Sequence, residues 1–221
     1  MNDKETNKVK RIAVVGGGIG GLTFAIAMRH HGIDVDIYEQ ADELREVGAA
    51  VALSANATRF YYHHWGMAEA FEEAAYEISA LIYRDGKTGR EIGRHAAGQT
   101  YRDLFGGPYL GIHRAELQRI LSTKVGMDRI HLGKRLANID DTGDQVVLHF
   151  KDGSKAEADI VIGADGTRST VRNLMLGYED YMYAGYTAFR GIVPVEKMPS
   201  MPDPTAIQFW MGESGHCLHY P

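Results

Sequence analysis

The spacing of apolar and polar positions along this chain changes several times, and each change predicts an element. Ile12-Ala13-Val14-Val15 is a short unbroken apolar run, as in a strand buried on both faces. Leu22 to His31 reads as a helix, and Gly32 stands where a helix C-terminus favours glycine. Asp34 to Tyr38 alternates and predicts a second strand, closed by Glu39. Gly48 to Leu53 is small and apolar, and Ser54 then predicts an N-cap for a helix running to about Trp65. Ile78 to Arg84 alternates as a strand, with a hairpin turn at Asp85-Gly86. In Ala115 to Val125 the apolar Leu117, Ile120, Leu121 and Val125 recur at helical spacing. Leu136 to Asp159 predicts a small antiparallel meander with turns at 141–144 and 152–154. The run Asp159 to Gly163 reads as a central parallel strand buried on both faces. It ends at Asp165-Gly166, before a short helix carrying Val171, Arg172 and Leu174.

The first strand, the first helix and the second strand enclose Gly16-Gly17-Gly18-Ile19-Gly20-Gly21, and Gly16, Gly18 and Gly21 fit the spacing Gly-x-Gly-x-x-Gly. Each glycine has its own reason. The strand-to-helix turn demands an unusual φ at Gly16. A pyrophosphate against the backbone leaves no room for a Cβ at Gly18. Close packing of helix on strand requires a small residue at Gly21. The helix N-terminus then offers free N–H groups and a positive dipole end to an anion. Glu39, 18 residues after Gly21, can accept hydrogen bonds from both hydroxyls of a ribose and disfavours a 2′-phosphate. The loop predicts an adenine dinucleotide and leaves FAD and NAD both open.

Composition narrows the classes. The 221 residues are 44% apolar and 24% charged, which fits a soluble globular protein and excludes a disordered tail, a collagen or a coiled coil. The net charge of −5 argues against nucleic acid as a partner. A single cysteine, Cys217, rules out an internal disulfide and fits a reducing, cytoplasmic setting. Lys8, Lys10 and Arg11 precede an uncharged run from Ile12 to Met28, which resembles a signal peptide. Those 17 residues include five glycines and are short for a membrane span, so no membrane association is expected. No Cys-x-x-Cys, His-Glu-x-x-His or Gly-x-Ser-x-Gly occurs, so neither a metal site nor a hydrolase elbow is expected. Arg114 at a helix start opposes the dipole, so it either meets an anion or is a solvated surface residue.

Three segments together carry a family resemblance: VVGGGIGGL (Val14 to Leu22) with Glu39, HRAELQRIL (His113 to Leu121) and ADIVIGADGTRSTVR (Ala158 to Arg172). The chain resembles the single-component FAD-dependent aromatic hydroxylases typified by para-hydroxybenzoate hydroxylase. It is most similar to the branch with salicylate, 3-hydroxybenzoate, 6-hydroxynicotinate and urate hydroxylases. The third segment is the family's second fingerprint, and it selects FAD.

The resemblance implies an α/β fold: a Rossmann-like FAD-binding domain with a βαβ dinucleotide fold, plus the start of a β-sheet substrate domain. The implied segments are an N-terminal tail (1–10), FAD-binding parts at 11–76 and 108–178, substrate-domain strands at 77–107 and an incomplete substrate domain at 179–221. It implies that Gly16, Gly18, Gly20 and Gly21 cradle the FAD pyrophosphate, and that Glu39 binds the adenosine ribose with Gln40 beside it. Arg45 and Arg114 match arginines near the flavin's phosphate and ribityl regions, and Ala52 lies in a small-residue segment close to the cofactor. Leu136 matches a position whose backbone contacts adenine. Asp165 and Arg168 belong to the fingerprint linked to FAD and NAD(P)H. His216 and Tyr220 match positions that face the aromatic substrate; the alternative is plain packing on one strand.

The implied activity is NAD(P)H-dependent hydroxylation of a small, hydroxybenzoate-like aromatic compound by O₂ through a flavin hydroperoxide, by a monomer or homodimer. The family's later Gly-Asp-Ala…His…Pro fingerprint has no counterpart here, so the chain reads as the front portion of a longer hydroxylase. The competing readings are a non-catalytic or truncated FAD-binding fragment and another FAD-dependent oxidoreductase: an epoxidase, halogenase or reductase. The chain departs from the family at Ala52, where a histidine or polar residue is common, and at Ala55, where a proline is common; the missing histidine at Ala52 weakens the hydroxynicotinate assignment specifically.

Overall fold

A computed structural model describes residues 11–44, 50–178 and 182–221. In chain order, β1 (Ile12–Val15), α1 (Ile19–His30) and β2 (Val35–Tyr38) form the predicted strand–loop–helix–strand unit. Next come β3 (Ala50–Leu53), α2 (Ala55–His63), α3 (Ala68–Ala74) and β4 (Ala75–Glu77). They are followed by β5 (Ala80–Asp85), β6 (Glu91–Ala96), α4 (Gln99–Phe105) and β7 (Leu110–His113). Then come α5 (Arg114–Val125), β8 (Ile130–His131), β9 (Leu136–Asp141), β10 (Val146–Phe150) and β11 (Lys155–Ala158). Last are β12 (Ile160–Gly163), α6 (Thr170–Leu176), β13 (Ile207–Met211) and β14 (His216–His219). The mixed α/β fold is as expected.

The chain divides into two compact units, residues 1–46 with 117–186 and residues 47–116 with 187–221. Residues 47–76 and 108–116 therefore group with the strands at 77–107, where the resemblance assigns them to the FAD-binding parts.

In the first unit the order β12-β1-β2-β8 makes an all-parallel sheet. Parallel pairing follows from the crossovers: each strand returns through a connection long enough to bring the chain back to the same end. Val14, Leu22, Ile37, Leu117 and Leu121 are fully buried around it, each contributing about 1.5–3 kcal/mol by leaving water. Helix α1 ends as predicted, with Gly32 at φ +75° and its N–H donating to the Arg29 carbonyl at 2.9 Å. The meander is present as β11-β10-β9, and Leu136, Leu148, Phe150, Ala158 and Val171 close a core with Ala13 and Val15.

Two local expectations are corrected. Among the described residues the run 159–163 has a neighbouring strand on one side alone, where the run reads as central and buried on both faces. That strand, β12, pairs with β1, and Ile160 and Gly163 are exposed. Its apolar character serves packing of one face: Val161 packs on the meander core, and Gly163 lies where a Cβ would meet Val171 at 2.9 Å. Ser54 stands at the N-cap position of α2, but its side chain makes no capping bond and is paired with Asn56 Oδ1 instead.

In the second unit the order β14-β13-β5-β6 makes a mixed sheet, with β13 parallel to β5 and the other pairs antiparallel. A separate antiparallel sheet has the order β3-β7-β4. One polar device sits inside this unit. Gln208, fully buried, accepts from Arg84 Nε at 2.6 Å, and Arg84 Nη2 meets Asp203 Oδ2 at 2.5 Å. Every charge in that cluster has a partner, which is the condition for burying it.

Candidate functional site

The glycine loop joins β1 to α1, and contacts sort its glycines into two kinds. Gly16 has φ +112°, and a Cβ there would collide with the Ala164 carbonyl and approach Asp165 N at 2.9 Å. At Gly21 a Cβ would collide with the Gly16 carbonyl oxygen and touch Val14 Cγ1 at 3.0 Å. These two glycines are required by the protein's own packing. At Gly18 and Gly20 a Cβ would meet nothing within 4 Å. The space beside them is open, as a cradle for a ligand requires.

The electrostatics point the same way. Gly18 is the N-cap of α1 with no side-chain capping bond, and the first turn carries no acidic residue. The N–H groups of a helix's first turn have no intrahelical partners and carry the positive end of the dipole. An anion is the group such an end accepts best.

Glu39 is tied into the same loop. Its Oε2 accepts from the Gly17 N–H at 2.6 Å and its Oε1 from the Ala41 N–H at 2.9 Å. Gly16 N–H donates to the Tyr38 carbonyl at 2.9 Å. From the other side, Gln118 on α5, itself buried, donates from Nε2 to the Gly17 carbonyl at 3.1 Å. Gln118 was not anticipated from sequence. Its only signal there is a polar residue beside Leu117 on the apolar face of a helix. Tyr38 completes this corner, stacked between His131 at 4.8 Å and Phe150 at 5.0 Å. Burial and the neighbouring Asp36 raise its hydroxyl pKa.

The second fingerprint meets the first. Ala164 N–H donates to the Val15 carbonyl at 2.8 Å, so the end of β12 lies against the glycine turn. Asp165 commits both oxygens to α6: Oδ1 accepts from Ser169 Oγ at 2.6 Å, and Oδ2 accepts from the N–H groups of Thr170 at 2.6 Å and Val171 at 3.1 Å. Ser169 Oγ in turn accepts from the Arg172 N–H at 2.9 Å.

The family of FAD binding domains matches residues 9–218. The chain belongs to this family of FAD-binding domains. It is 39% identical over 211 residues to 3-amino-4-hydroxybenzoate 2-monooxygenase of Streptomyces cremeus, covering 96% of this chain and 53% of that protein. It is 32% identical over 216 residues to 3-hydroxybenzoate 6-hydroxylase 1 of Aquipseudomonas alcaligenes, covering 95% and 54%. Among solved structures, a variant of Klebsiella pneumoniae HpxO complexed with FAD aligns with a TM-score of 0.80 at 29% identity, over 96% of this chain and 54% of that one. The chain thus spans about half the length of the curated relatives it matches.

The remaining expected positions of this FAD-binding domain fall as follows. Gln40 is exposed directly after Glu39. Leu136 is buried in the meander core, so only its backbone is free to meet a ligand. Arg45 lies outside the described residues. Arg168 is exposed in the turn before α6. Ala52, on β3, and Arg114, the first residue of α5, belong to the second unit. His113, just ahead, accepts the Ala115 N–H on Nδ1 at 3.2 Å and so caps α5.

His216 opens β14 and is exposed, with its ring 6.3 Å from Phe209. Tyr220 lies just past the end of β14. The register pairs Met211 with His216 and Phe209 with Leu218, so by alternation His216, Leu218 and Tyr220 share a face with Phe209. Phe209 stacks on Tyr83 at 4.9 Å, giving that face a run of aromatic rings. Among the described residues no three His, Cys, Asp or Glu side chains form a metal cluster, and no helix is long and apolar enough to cross a membrane.

Proposed function

We propose that the protein is an FAD-dependent monooxygenase that hydroxylates a small aromatic acid of the aminohydroxybenzoate or hydroxybenzoate type, with NAD(P)H as reductant and O₂ as the second substrate. The observation that carries it is the open cradle at Gly18 and Gly20, framed by Glu39 and by the second fingerprint at Ala164-Asp165. The polar groups fit FAD: backbone N–H groups to donate to the pyrophosphate at α1, the Glu39 carboxylate to accept from the ribose with the Gln40 amide beside it, and the Leu136 backbone for the adenine. Gly16 and Gly21 hold the loop's shape. Arg45, Ala52, Arg114 and Asp165 are assigned to the rest of the cofactor on the family's pattern. When bound, FAD supplies the redox chemistry between the nicotinamide, oxygen and the aromatic ring.

In this reading the first unit serves the dinucleotide and the mixed sheet of the second unit serves the substrate. Stacked Tyr83 and Phe209 offer a flat apolar surface to an aromatic ring, and His216 on the same face can accept a phenol proton. The protein's work is orientation of the ring and exclusion of water. The proposed location is the cytoplasm, and the proposed assembly a monomer or homodimer.

The test uses the full gene product. A yellow protein with a flavin spectrum, whose NADH or NADPH oxidation and O₂ uptake rise with 3-amino-4-hydroxybenzoate or 3-hydroxybenzoate and yield a hydroxylated product, is the expected result. A preparation that fails to bind added FAD overturns the reading. Stimulated oxidation that yields an epoxide or a halogenated ring reassigns the reaction.

A further inference from the structure

Tyr220 is paired, and its partner is backbone. The phenol oxygen donates to the carbonyl of Ala50, the first residue of β3, at 2.7 Å across 170 positions of sequence. The segment around it lies close on β7. A Cβ on Gly111 would sit 3.0 Å from the Pro221 carbonyl oxygen and 3.6 Å from Tyr220 Cδ2, so glycine is what lets the chain pass there. Gly111 pairs directly with Ala52. The Tyr220 ring also packs, with Ala52, against the core of Ile78, Ala97 and Ile207. One side chain therefore touches both strands of the β3–β7 pair and the mixed sheet.

A tyrosine hydroxyl has a single proton. Stabilising a substrate phenolate needs a donor, and this proton points at Ala50. His216 lies four residues away, about 13 Å along an extended strand, so the two side chains do not converge on one oxygen.

We propose that Tyr220 is a positioning residue: it fixes the backbone of Ala50–Leu53, the small-residue strand assigned to the flavin, and so supports cofactor binding without polarising the substrate. This rests on the proposed function, which assigns Ala52 on β3 to the cofactor.

The experiment is Tyr220→Phe in the full-length protein, with three readouts. The first is amide hydrogen exchange of residues 50–53 without flavin. The second is FAD affinity from fluorescence quenching without substrate. The third is the pH profile and KM for the aromatic substrate. Loss of one hydrogen bond predicts exchange at 50–53 faster by about fivefold and FAD binding weaker by a similar factor, with the aromatic KM and the pH profile unchanged. Unchanged exchange and FAD affinity, with a raised KM or a shifted pH profile, overturns the proposal. If wild type binds no FAD, the proposed function fails, and unchanged exchange in the variant would then sink the positioning role on its own.

Discussion

The carboxylate of Glu39 accepts the backbone N–H of Gly17 at 2.6 Å, so the acid that ends β2 also braces the loop that begins α1. The other oxygen holds Ala41 N–H at 2.9 Å. One side chain thus ties together the two ends of the βαβ unit and leaves its remaining lone pairs for a ribose. Gly17 lies close enough for this because it has no Cβ; one would stand 3.1 Å from Glu39 Cβ.

Replacing Glu39 by Ala removes the acceptor of two N–H groups. The flavin-free protein should lose about 1–3 kcal/mol in urea unfolding, and FAD affinity should fall roughly ten- to a hundredfold as the ribose contact goes. Glu39→Gln keeps one carbonyl oxygen and should fall between. A Glu39→Ala protein as stable as wild type would mean that the two backbone bonds contribute nothing.

The two kinds of glycine separate by mutation. Gly21→Ala collides with the Gly16 carbonyl and should unfold or strongly destabilise the domain before any ligand is considered. Gly20→Ala meets no atom and lies within α1, where alanine gains up to about 1 kcal/mol over glycine. Its melting temperature without flavin should hold or rise while FAD affinity drops. Equal FAD affinity in Gly20→Ala and wild type would place the pyrophosphate elsewhere.

Much of this site is legible in the sequence because each part is local. The spacing of Gly16, Gly18 and Gly21, the following helix and the acid at Glu39 all lie within one βαβ unit, where period and turn chemistry speak directly. What is hidden depends on partners distant in sequence. A helical pattern shows that Gln118 lies on a buried face, but not that its amide holds Gly17. The apolar run 160–163 reports a strand and says nothing of how many neighbours it has; among the described residues β12 has one, β1. Tyr220 and His216 share a face by alternation alone, yet the direction of the Tyr220 hydroxyl is set by a strand 170 residues earlier.

Asp165 offers a sharper test of a fingerprint residue. Its oxygens cap α6 through Ser169, Thr170 and Val171. Asp165→Ala should cost about 1–2 kcal/mol of stability, the usual effect of losing a cap, and Asp165→Asn should recover part of it. FAD titrations of the Asn variant then separate the roles. Affinity near wild type marks Asp165 as a cap that shapes the turn, and a large loss at preserved stability marks a direct contact.

His219 should make the protein's stability depend on pH. Its Nε2 accepts from the Trp210 indole N–H at 2.8 Å, so the ring is neutral with its proton on Nδ1. Burial first, and the charge of Arg84 second, push its pKa below the ordinary value. The unfolded chain, with a histidine pKa near 6.5, therefore takes up a proton before the folded one does. The stabilising contribution is complete above about pH 6.5 and is lost as pH falls from there toward the folded pKa. Urea midpoints for wild type and His219→Gln, followed by tryptophan fluorescence from pH 7.5 to pH 5, isolate the effect. Pairs such as His131 with Asp36 and His149 with Asp140 are common to both proteins and cancel. Wild type should lose more stability than the variant as the pH drops. Parallel curves would show that His219 is protonated alike in both states, against the acceptor role its bond to Trp210 assigns it.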